Sequence, residues 1–227
     1  MIHVHKSENR GHVRFGWLDA RHSFSFGSWY DPRYMGVSAL RVINEDRIRP
    51  QSGFGAHPHD NMEILTYVLS GAISHKDSMG NETALHAGEF QLMSAGSGVV
   101  HSEHNRDPAV ETHMLQIWLY PDANNTEPGY QELRAADGDG LQLVVSPDGR
   151  DGSLRIRQNA RIHRVRLSAG AAVELPLEGP QGYLHLIRGR ADLAGTPLDG
   201  GDGAVLNGPE RTLIAQTDLE ALWFDLP

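Results

Sequence analysis

The chain has 227 residues, 25 glycines, 12 prolines, no cysteine and a formal net charge of −9 with histidine counted as neutral. The lack of cysteine excludes disulfides, thiolate metal sites and cysteine nucleophiles, and the acidic balance argues against direct binding of nucleic acid through phosphates. No apolar run approaches the roughly 20 residues of a membrane helix, and the start of the chain lacks the apolar core of a signal peptide. We therefore expect a soluble cytoplasmic protein with no membrane partner.

The apolar residues fall in short runs separated by Gly, Pro, Asn and Asp, which is typical of many short strands joined by turns. In chain order, the sequence predicts strands at residues 24–26, 40–43, 63–69, 72–75, 90–93, 99–103, 114–120, 141–145, 154–158, 163–167, 172–176, 183–187 and 222–224. The polar, turn-rich stretch 121–140 is predicted to be a linker that contains one short helix near 130–135. It would separate two domains, residues 1–125 and 126–227.

The two halves of the sequence share a pattern. In the first half, an apolar strand that ends in glycine (67–71) is followed by a turn with glycine and an acidic residue (87–90). In the second half, a similar strand (186–189) is followed at a similar distance by a similar turn (200–204). Repetition of a whole structural unit explains both the echo and the length of the chain. We therefore predict an all-β protein made from two copies of one β-barrel.

Two histidine-containing pairs carry the strongest chemical signal. Side chains at positions i and i+2 of a strand point to the same face, so His57 and His59 can present their imidazoles together. His101 and Glu103 have the same relation some forty residues later. If neighbouring strands turn both pairs inward, three nitrogens and one carboxylate oxygen surround one point, a ligand set suited to a first-row transition metal.

Two nearby residues have other expected positions. Glu63 lies at even spacing from His59, so it can also face inward, and we expect it to support a ligand by hydrogen bonding rather than to bind the metal itself. His104 lies on the opposite face of its strand from His101 and is expected to be exposed. In the C-terminal half, His163 and His185 stand alone, and no His-x-His pair is present.

The residues around these pairs resemble a known family. Residues 22–32 (HSFSFGSWYDP), 55–59 (GAHPH) and 95–103 (AGSGVVHSE) are similar to motifs of the pirins, a family of the cupin superfamily. The resemblance is dense over residues 14–120 and weak afterwards. It implies a bicupin, with two jelly-roll-like antiparallel β-barrels packed together and metal in the N-terminal barrel only. It also implies that Glu103 is the fourth ligand, whereas generic cupins use the glutamate at the position of Glu63.

The resemblance implies a metal-dependent dioxygenase that cleaves flavonols, like quercetin 2,3-dioxygenases, and releases carbon monoxide. Its cofactor would be one divalent transition metal ion, with Fe favoured, and Mn, Co, Ni, Cu and Zn also accepted by such ligands. Flavonol and dioxygen would be the substrates. Glu103, or Glu63 if it faces inward, would take the proton of the flavonol hydroxyl.

Two other readings stay open. Some pirins are thought to be non-catalytic, metal- or redox-responsive partners of other proteins, and an acidic chain can bind a protein partner. An unrelated cupin reaction on a sugar or small acid is the third, because a fold does not determine an activity. A pocket that reaches open coordination positions on the metal would favour an enzyme over a binding protein.

Overall fold

The computed structural model describes residues 2–227 and consists almost entirely of β-strands. Two short 3₁₀ helices, Ser7–Asn9 and Arg150–Gly152, are the only helices within that range. Among these residues, no helix is long and apolar enough to span a membrane.

The strands are short and are joined mostly by tight turns. The first twelve are β1 (Ile2–His5), β2 (Gly11–Phe15), β3 (Leu18–His22), β4 (Leu40–Ile48), β5 (Ser52–His59), β6 (Glu63–Ser70), β7 (Ala72–Asp77), β8 (Glu82–His86), β9 (Glu89–Ser94), β10 (Val99–Asn105), β11 (Thr112–Leu119) and β12 (Gly129–Arg134). The other ten are β13 (Gly140–Ser146), β14 (Leu154–Arg155), β15 (Arg161–Leu167), β16 (Ala172–Glu174), β17 (Gln181–Arg188), β18 (Arg190–Leu193), β19 (Thr196–Asp199), β20 (Gly203–Leu206), β21 (Thr212–Ala215) and β22 (Leu219–Leu226).

The chain folds as two units. The N-terminal unit comprises Gly11–Ala135 with Ile156–Gln158, and the C-terminal unit comprises the residues through Arg10, Ala136–Arg155 and Asn159–Pro227. This division differs from the expected boundary between residues 125 and 126. It falls after β12 because that strand pairs with β9 in the N-terminal unit, while β1 pairs with β20 in the C-terminal unit.

Each unit contains one seven-stranded and one four-stranded sheet. In the N-terminal unit the strand orders are β12-β9-β6-β11-β4-β3-β2 and β5-β10-β7-β8. In the C-terminal unit they are β1-β20-β17-β22-β15-β13-β14 and β16-β21-β18-β19. The two units match in the order of their strands, which confirms the predicted repeat, except at one edge, where β14 is parallel to β13 but β2 is antiparallel to β3. The expected closed barrels are corrected to jelly-roll-like pairs of open sheets, because no ladder joins the two sheets of a unit among the described residues.

Three predicted elements differ from the structure. The helix expected near 130–135 is the strand β12, because backbone pairing with β9 satisfies the same N–H and C=O groups that a helix would satisfy internally. The expected strand at 24–26 is a loop held by an isolated bridge between Phe26 and Trp29. The stretch 154–158 keeps strand structure only in β14.

The interior of the C-terminal unit is apolar where the N-terminal unit carries polar groups. Strand β21 corresponds in sheet order to β10, and its inward residues are Leu213 and Ala215, both in the main buried cluster of this unit. The isolated His185 is completely buried, whereas His163 is half-buried. The sheet position that holds His101 and Glu103 in one unit is therefore occupied by hydrocarbon side chains in the other.

Candidate metal centre

The predicted histidine pairs lie on adjacent strands. Strands β5 and β10 are antiparallel neighbours, and His101 is directly opposite His57 in their register. Pro58, which cannot donate to a ladder, is accommodated because β5 is the edge strand of its sheet. The register shifts between His101 and Glu103, so the segment that contains Gly55 bulges out of the ladder. This local pairing brings the two motifs together.

The three imidazoles form a compact cluster. Ring centroids lie 4.8 Å apart for His57 and His59, 4.4 Å for His57 and His101, and 4.9 Å for His59 and His101. One nitrogen from each ring lies within 4.8 Å of the others. Burial lowers the pKa of His59 to about 4 and that of His101 to about 3, and the neighbouring imidazoles add to both shifts. His59 and His101 are thus neutral at pH 7, which is the form that binds metals.

The ring nitrogens of this cluster fit a metal ion. His57 Nδ1 donates a hydrogen bond to Gly55 O at 2.8 Å, which leaves its Nε2 lone pair available. His101 is 2% exposed, and neither of its ring nitrogens has a hydrogen-bond partner among residues 2–227. Buried polar atoms nearly always have a hydrogen-bond partner. A buried imidazole without one, beside two more imidazoles, therefore fits a metal ligand.

Glu103 is buried next to this cluster. Its Oε2 accepts a hydrogen bond from Gln116 Nε2 at 2.6 Å, and Thr66 Oγ1 lies 3.4 Å from Oε1. Burial raises the pKa of Glu103 to about 7, although both hydrogen bonds oppose the rise. Its ligand atom lies within 4.8 Å of those of His101 and His75, and this group of three is separate from the group of three histidines.

Glu63, the alternative ligand, is engaged elsewhere. Its Oε2 accepts hydrogen bonds from Ser94 Oγ at 2.8 Å and from the backbone N–H of Arg157 at 3.3 Å. It is buried, but it belongs to neither candidate ligand group among the described residues. The exposed position expected for His104 is confirmed.

His75 is a buried neighbour that the sequence motifs did not reveal. Its ring lies 5.3 Å from the ring of His101, and both of its nitrogens are used. Nε2 donates to Asp77 Oδ2 at 3.1 Å, and Nδ1 accepts from Gln91 Nε2 at 3.2 Å. His75 therefore packs against the site as a hydrogen-bonded support. It pairs with Glu103 across the ladder, a register that local sequence does not encode.

The imidazoles open onto a cavity of about 440 Å³. Its walls are largely aromatic, from Trp17, Phe26, Phe54 and Trp118, and the ring of Trp118 lies 4.9 Å from that of His59. Glu103 and Gln116 also line it. A pocket that reaches the ligand cluster is the feature that favours an enzyme over a purely binding protein.

Two further polar residues of the cavity were not predicted. Asn44 and Asp46 lie on β4, in the seven-stranded sheet, and both face the cavity. Burial raises the pKa of Asp46 to about 8, and the nearby carboxyls of Glu103 and Glu45 add to the rise. Their spacing of two residues on one strand was the only sequence signal for them.

Comparison with known families agrees with this geometry. Residues 3–119 match the Pirin family model, and residues 143–226 match the model of the quercetinase C-terminal cupin domain. The chain belongs to the pirin family. This pirin is 44% identical over 229 residues to the quercetin 2,3-dioxygenase of Escherichia coli K12, covering 100% of this chain and 99% of that protein. It is 39% identical to a pirin-like protein of Caulobacter vibrioides, with 97% and 96% covered.

Solved structures extend the comparison. The bacterial pirin YhhW from Escherichia coli, in complex with nickel(II), superposes on this pirin with a TM-score of 0.97 at 43% identity, covering 100% of this chain and 99% of that one. YhaK from the same species gives 0.78 at 35% identity, covering 90% and 92%. The predicted family, all-β fold and two cupin domains are confirmed. Iron as the metal, a protein partner and a cytoplasmic location stay predictions.

Proposed function

We propose that this pirin is a metal-dependent dioxygenase that cleaves flavonols such as quercetin. The observation that carries the proposal is the cluster of three imidazoles open to an aromatic-walled cavity. A flat polyphenol fits such walls by stacking and edge contacts. The relatives named quercetin 2,3-dioxygenases support the same choice of substrate.

His57, His59, His101 and Glu103 would hold one divalent transition metal ion, and we propose iron as the native one. When bound, the metal supplies Lewis acidity that lowers the pKa of a coordinated hydroxyl. Dioxygen is the oxidant: both of its atoms enter the ring-opened product, and one ring carbon leaves as carbon monoxide.

In this proposal Glu103 also accepts the proton of the flavonol 3-hydroxyl. Gln116 holds Oε2 at 2.6 Å, so Oε1, with only the longer contact to Thr66, is the less engaged oxygen. In the metal-free protein, burial raises the pKa of Glu103 to about 7, which makes its carboxylate a better proton acceptor than an exposed glutamate. Gln116 therefore positions the carboxylate, and Glu103 transfers the proton.

The aromatic residues serve to exclude water. Trp118 packs between the ring of His59, at 4.9 Å, and the ring of Phe26, at 5.2 Å, so it links the ligand cluster to the cavity wall. A dry wall strengthens the electrostatic interactions of the reacting hydroxylate and limits hydrolysis of intermediates. Replacement of Trp118 by alanine would widen the cavity and let water in.

The test is reconstitution of the metal-free protein under anaerobic conditions with Fe, Mn, Co, Ni or Cu, followed by quercetin and oxygen. Loss of flavonol absorbance together with stoichiometric carbon monoxide is the expected result. Tight metal binding without turnover under any of these metals would contradict the proposal and favour a regulatory protein.

Matched variants assign the residues. The His57→Ala and His101→Ala proteins should lose both metal and turnover, while His104→Ala, on the exposed face of β10, should keep both. Glu103→Gln should retain metal through the three histidines and lose ring cleavage. Unchanged turnover in Glu103→Gln would overturn its role as the base.

A further inference from the structure

One buried carboxyl of the N-terminal unit differs from the others in its surroundings. Among the described residues, the buried acids of this unit are Asp46, Glu63, Asp77 and Glu103. Glu63, Asp77 and Glu103 accept hydrogen bonds from Ser94, Asn81 and Gln116, respectively. Asp46 is 3% exposed, and burial and the nearby carboxyls of Glu103 and Glu45 raise its pKa with no hydrogen bond to oppose the rise.

The residue two positions earlier shares this property. Asn44 is 5% exposed, and its Oδ1 has no partner among the described residues. Side chains two apart on a strand point the same way, and both line the cavity that contains His57, His59 and His101. Asn44 and Asp46, which we name the β4 polar pair, are thus two adjacent unsatisfied groups on one wall.

The β4 polar pair and the imidazoles come from different sheets. The pair lies on the seven-stranded sheet, whereas His57 and His101 lie on β5 and β10 of the four-stranded sheet. Across the ladder, Asn44 is paired with Gln116 of β11, which donates to Glu103. The β4 polar pair therefore extends the polar lining of the cavity from Glu103 and Gln116 along β4, and Trp17 and Phe54 are among the aromatic residues that line the rest.

Such an arrangement costs stability unless water or a ligand satisfies it. An unpaired buried polar group is destabilising, and an apolar residue of similar size would fill the same place without that cost. Neither residue supports a loop, a cap or a neighbouring ligand through its side chain. The ligand group that suits the pair can both donate and accept hydrogen bonds, and the rest of the ligand must fit between aromatic walls. A phenolic hydroxyl meets both requirements.

We propose that the β4 polar pair is a specificity site that binds hydroxyl groups of the substrate other than the one that the metal would bind. The inference rests on the proposed function, and it narrows the substrate class to polyhydroxylated aromatic compounds. A carboxyl and an amide both offer an acceptor whatever the protonation state of Asp46. A ligand that lacks these hydroxyls would leave the pair without hydrogen-bond partners. A site of this kind discriminates strongly against analogues that lack a hydroxyl.

The experiment compares two probes that share the metal-binding end. Quercetin carries additional ring hydroxyls, whereas 3-hydroxyflavone keeps only the 3-hydroxyl and the carbonyl. Their Kd values are measured by calorimetric titration of the nickel-loaded protein without oxygen, so that no turnover interferes. We expect quercetin to bind the native protein roughly 10-fold or more tightly than 3-hydroxyflavone.

Variants test whether Asn44 and Asp46 cause the difference in Kd between the two probes. In the double variant Asn44→Leu/Asp46→Leu, the ratio of the two Kd values should fall to about 1, because the hydrogen bonds to the extra hydroxyls are gone. Asp46→Asn should keep most of the ratio, since an amide still bonds a hydroxyl. Arg47→Gln, on the exposed face of the same strand, should keep all of it. Nickel content and thermal unfolding of each variant establish that the site is folded.

The outcomes separate this inference from the proposed function. Equal Kd values for the two probes in the native protein would overturn the inference and leave flavonol cleavage standing, and this comparison needs no variant. A ratio that survives in the folded double variant would also overturn it. If neither probe binds the nickel-loaded native protein, the proposed function and the inference both fail.

Discussion

His101 should destabilise the metal-free protein, so its replacement by leucine should stabilise that form. The side chain is 2% exposed, and neither ring nitrogen has a partner among the described residues. Each unsatisfied buried polar group costs about 1–3 kcal/mol, and a swap of similar volume costs less than about 1.5 kcal/mol. We therefore expect His101→Leu to raise the free energy of unfolding of the metal-free protein by roughly 1–3 kcal/mol.

Metal should reverse the order of stability. The native protein gains about 4.1 kcal/mol when the metal is present at 1,000 times its Kd, while the leucine variant lacks one of the proposed ligands and gains little. The native protein should thus be less stable than the variant in chelator and more stable in metal. This crossing is the signature of a residue kept for binding rather than for folding.

Urea unfolding followed by tryptophan fluorescence measures the effect. Three of the four tryptophans, Trp17, Trp29 and Trp118, lie in the N-terminal unit, so the signal reports mainly on the unit that holds the site. His104→Leu is the matched control, because that side chain is exposed on the same strand. A His101→Leu protein that is less stable than the native protein in chelator would refute the reasoning, because it would show that the imidazole is satisfied without metal.

Three more predictions follow from named contacts. Gln116→Leu removes the 2.6 Å hydrogen bond to Glu103 and should weaken metal binding about 10- to 100-fold in chelator competition; an unchanged Kd would contradict the positioning role. The pKa of Asp46 is raised to about 8, so the metal-free native protein should lose stability relative to Asp46→Asn as pH rises from about 4 to 8, by at most about 1.4 kcal/mol per pH unit. A difference in urea midpoint that is constant with pH would count against that burial. In Gly53→Ala, the new Cβ would overlap the backbone oxygen of Glu103 and force β5 away from β10, which should lower Tm and metal affinity together. Gly55→Ala, where a Cβ meets nothing within 4 Å, should change the Tm little.

The part of the site that could be predicted from sequence is the part that depends on local geometry. His57 and His59 share a face because a strand alternates its side chains, and the same rule applies to His101. Glu103 was also predicted, although its contact with Gln116 was not. The alternation rule needs no knowledge of which strands are neighbours.

The remaining residues of the site depend on pairing between distant strands. Asp46 enters the cavity because β4 lies beside β11 in the sheet that faces the imidazoles. His75 is placed by its ladder contact with Glu103. Nothing in the local pattern of β4 or β7 distinguishes these buried polar groups from the alternating residues of a solvated strand.

The fold shows the same division. Alternation and turn residues located most of the central strands, and the glycines after β6 and β17 marked two equivalent hairpins, with φ of 74° at Gly71 and 89° at Gly189. The strand β12 was predicted as a helix, since its residues permit one and only the edge of β9 makes the extended form favourable. The pairing of β1 with β20 could not be read from either segment, because their separation in the chain carries no signal.

An anomalous-scattering map of crystals loaded with a single transition metal tests the central claim most directly. The account predicts one strong peak in the N-terminal unit, about 2.0–2.2 Å from nitrogens of His57, His59 and His101 and from a carboxylate oxygen of Glu103. It also predicts that part of the coordination sphere faces the aromatic cavity. A peak held by Glu63, or a metal with every position filled by protein, would contradict the account.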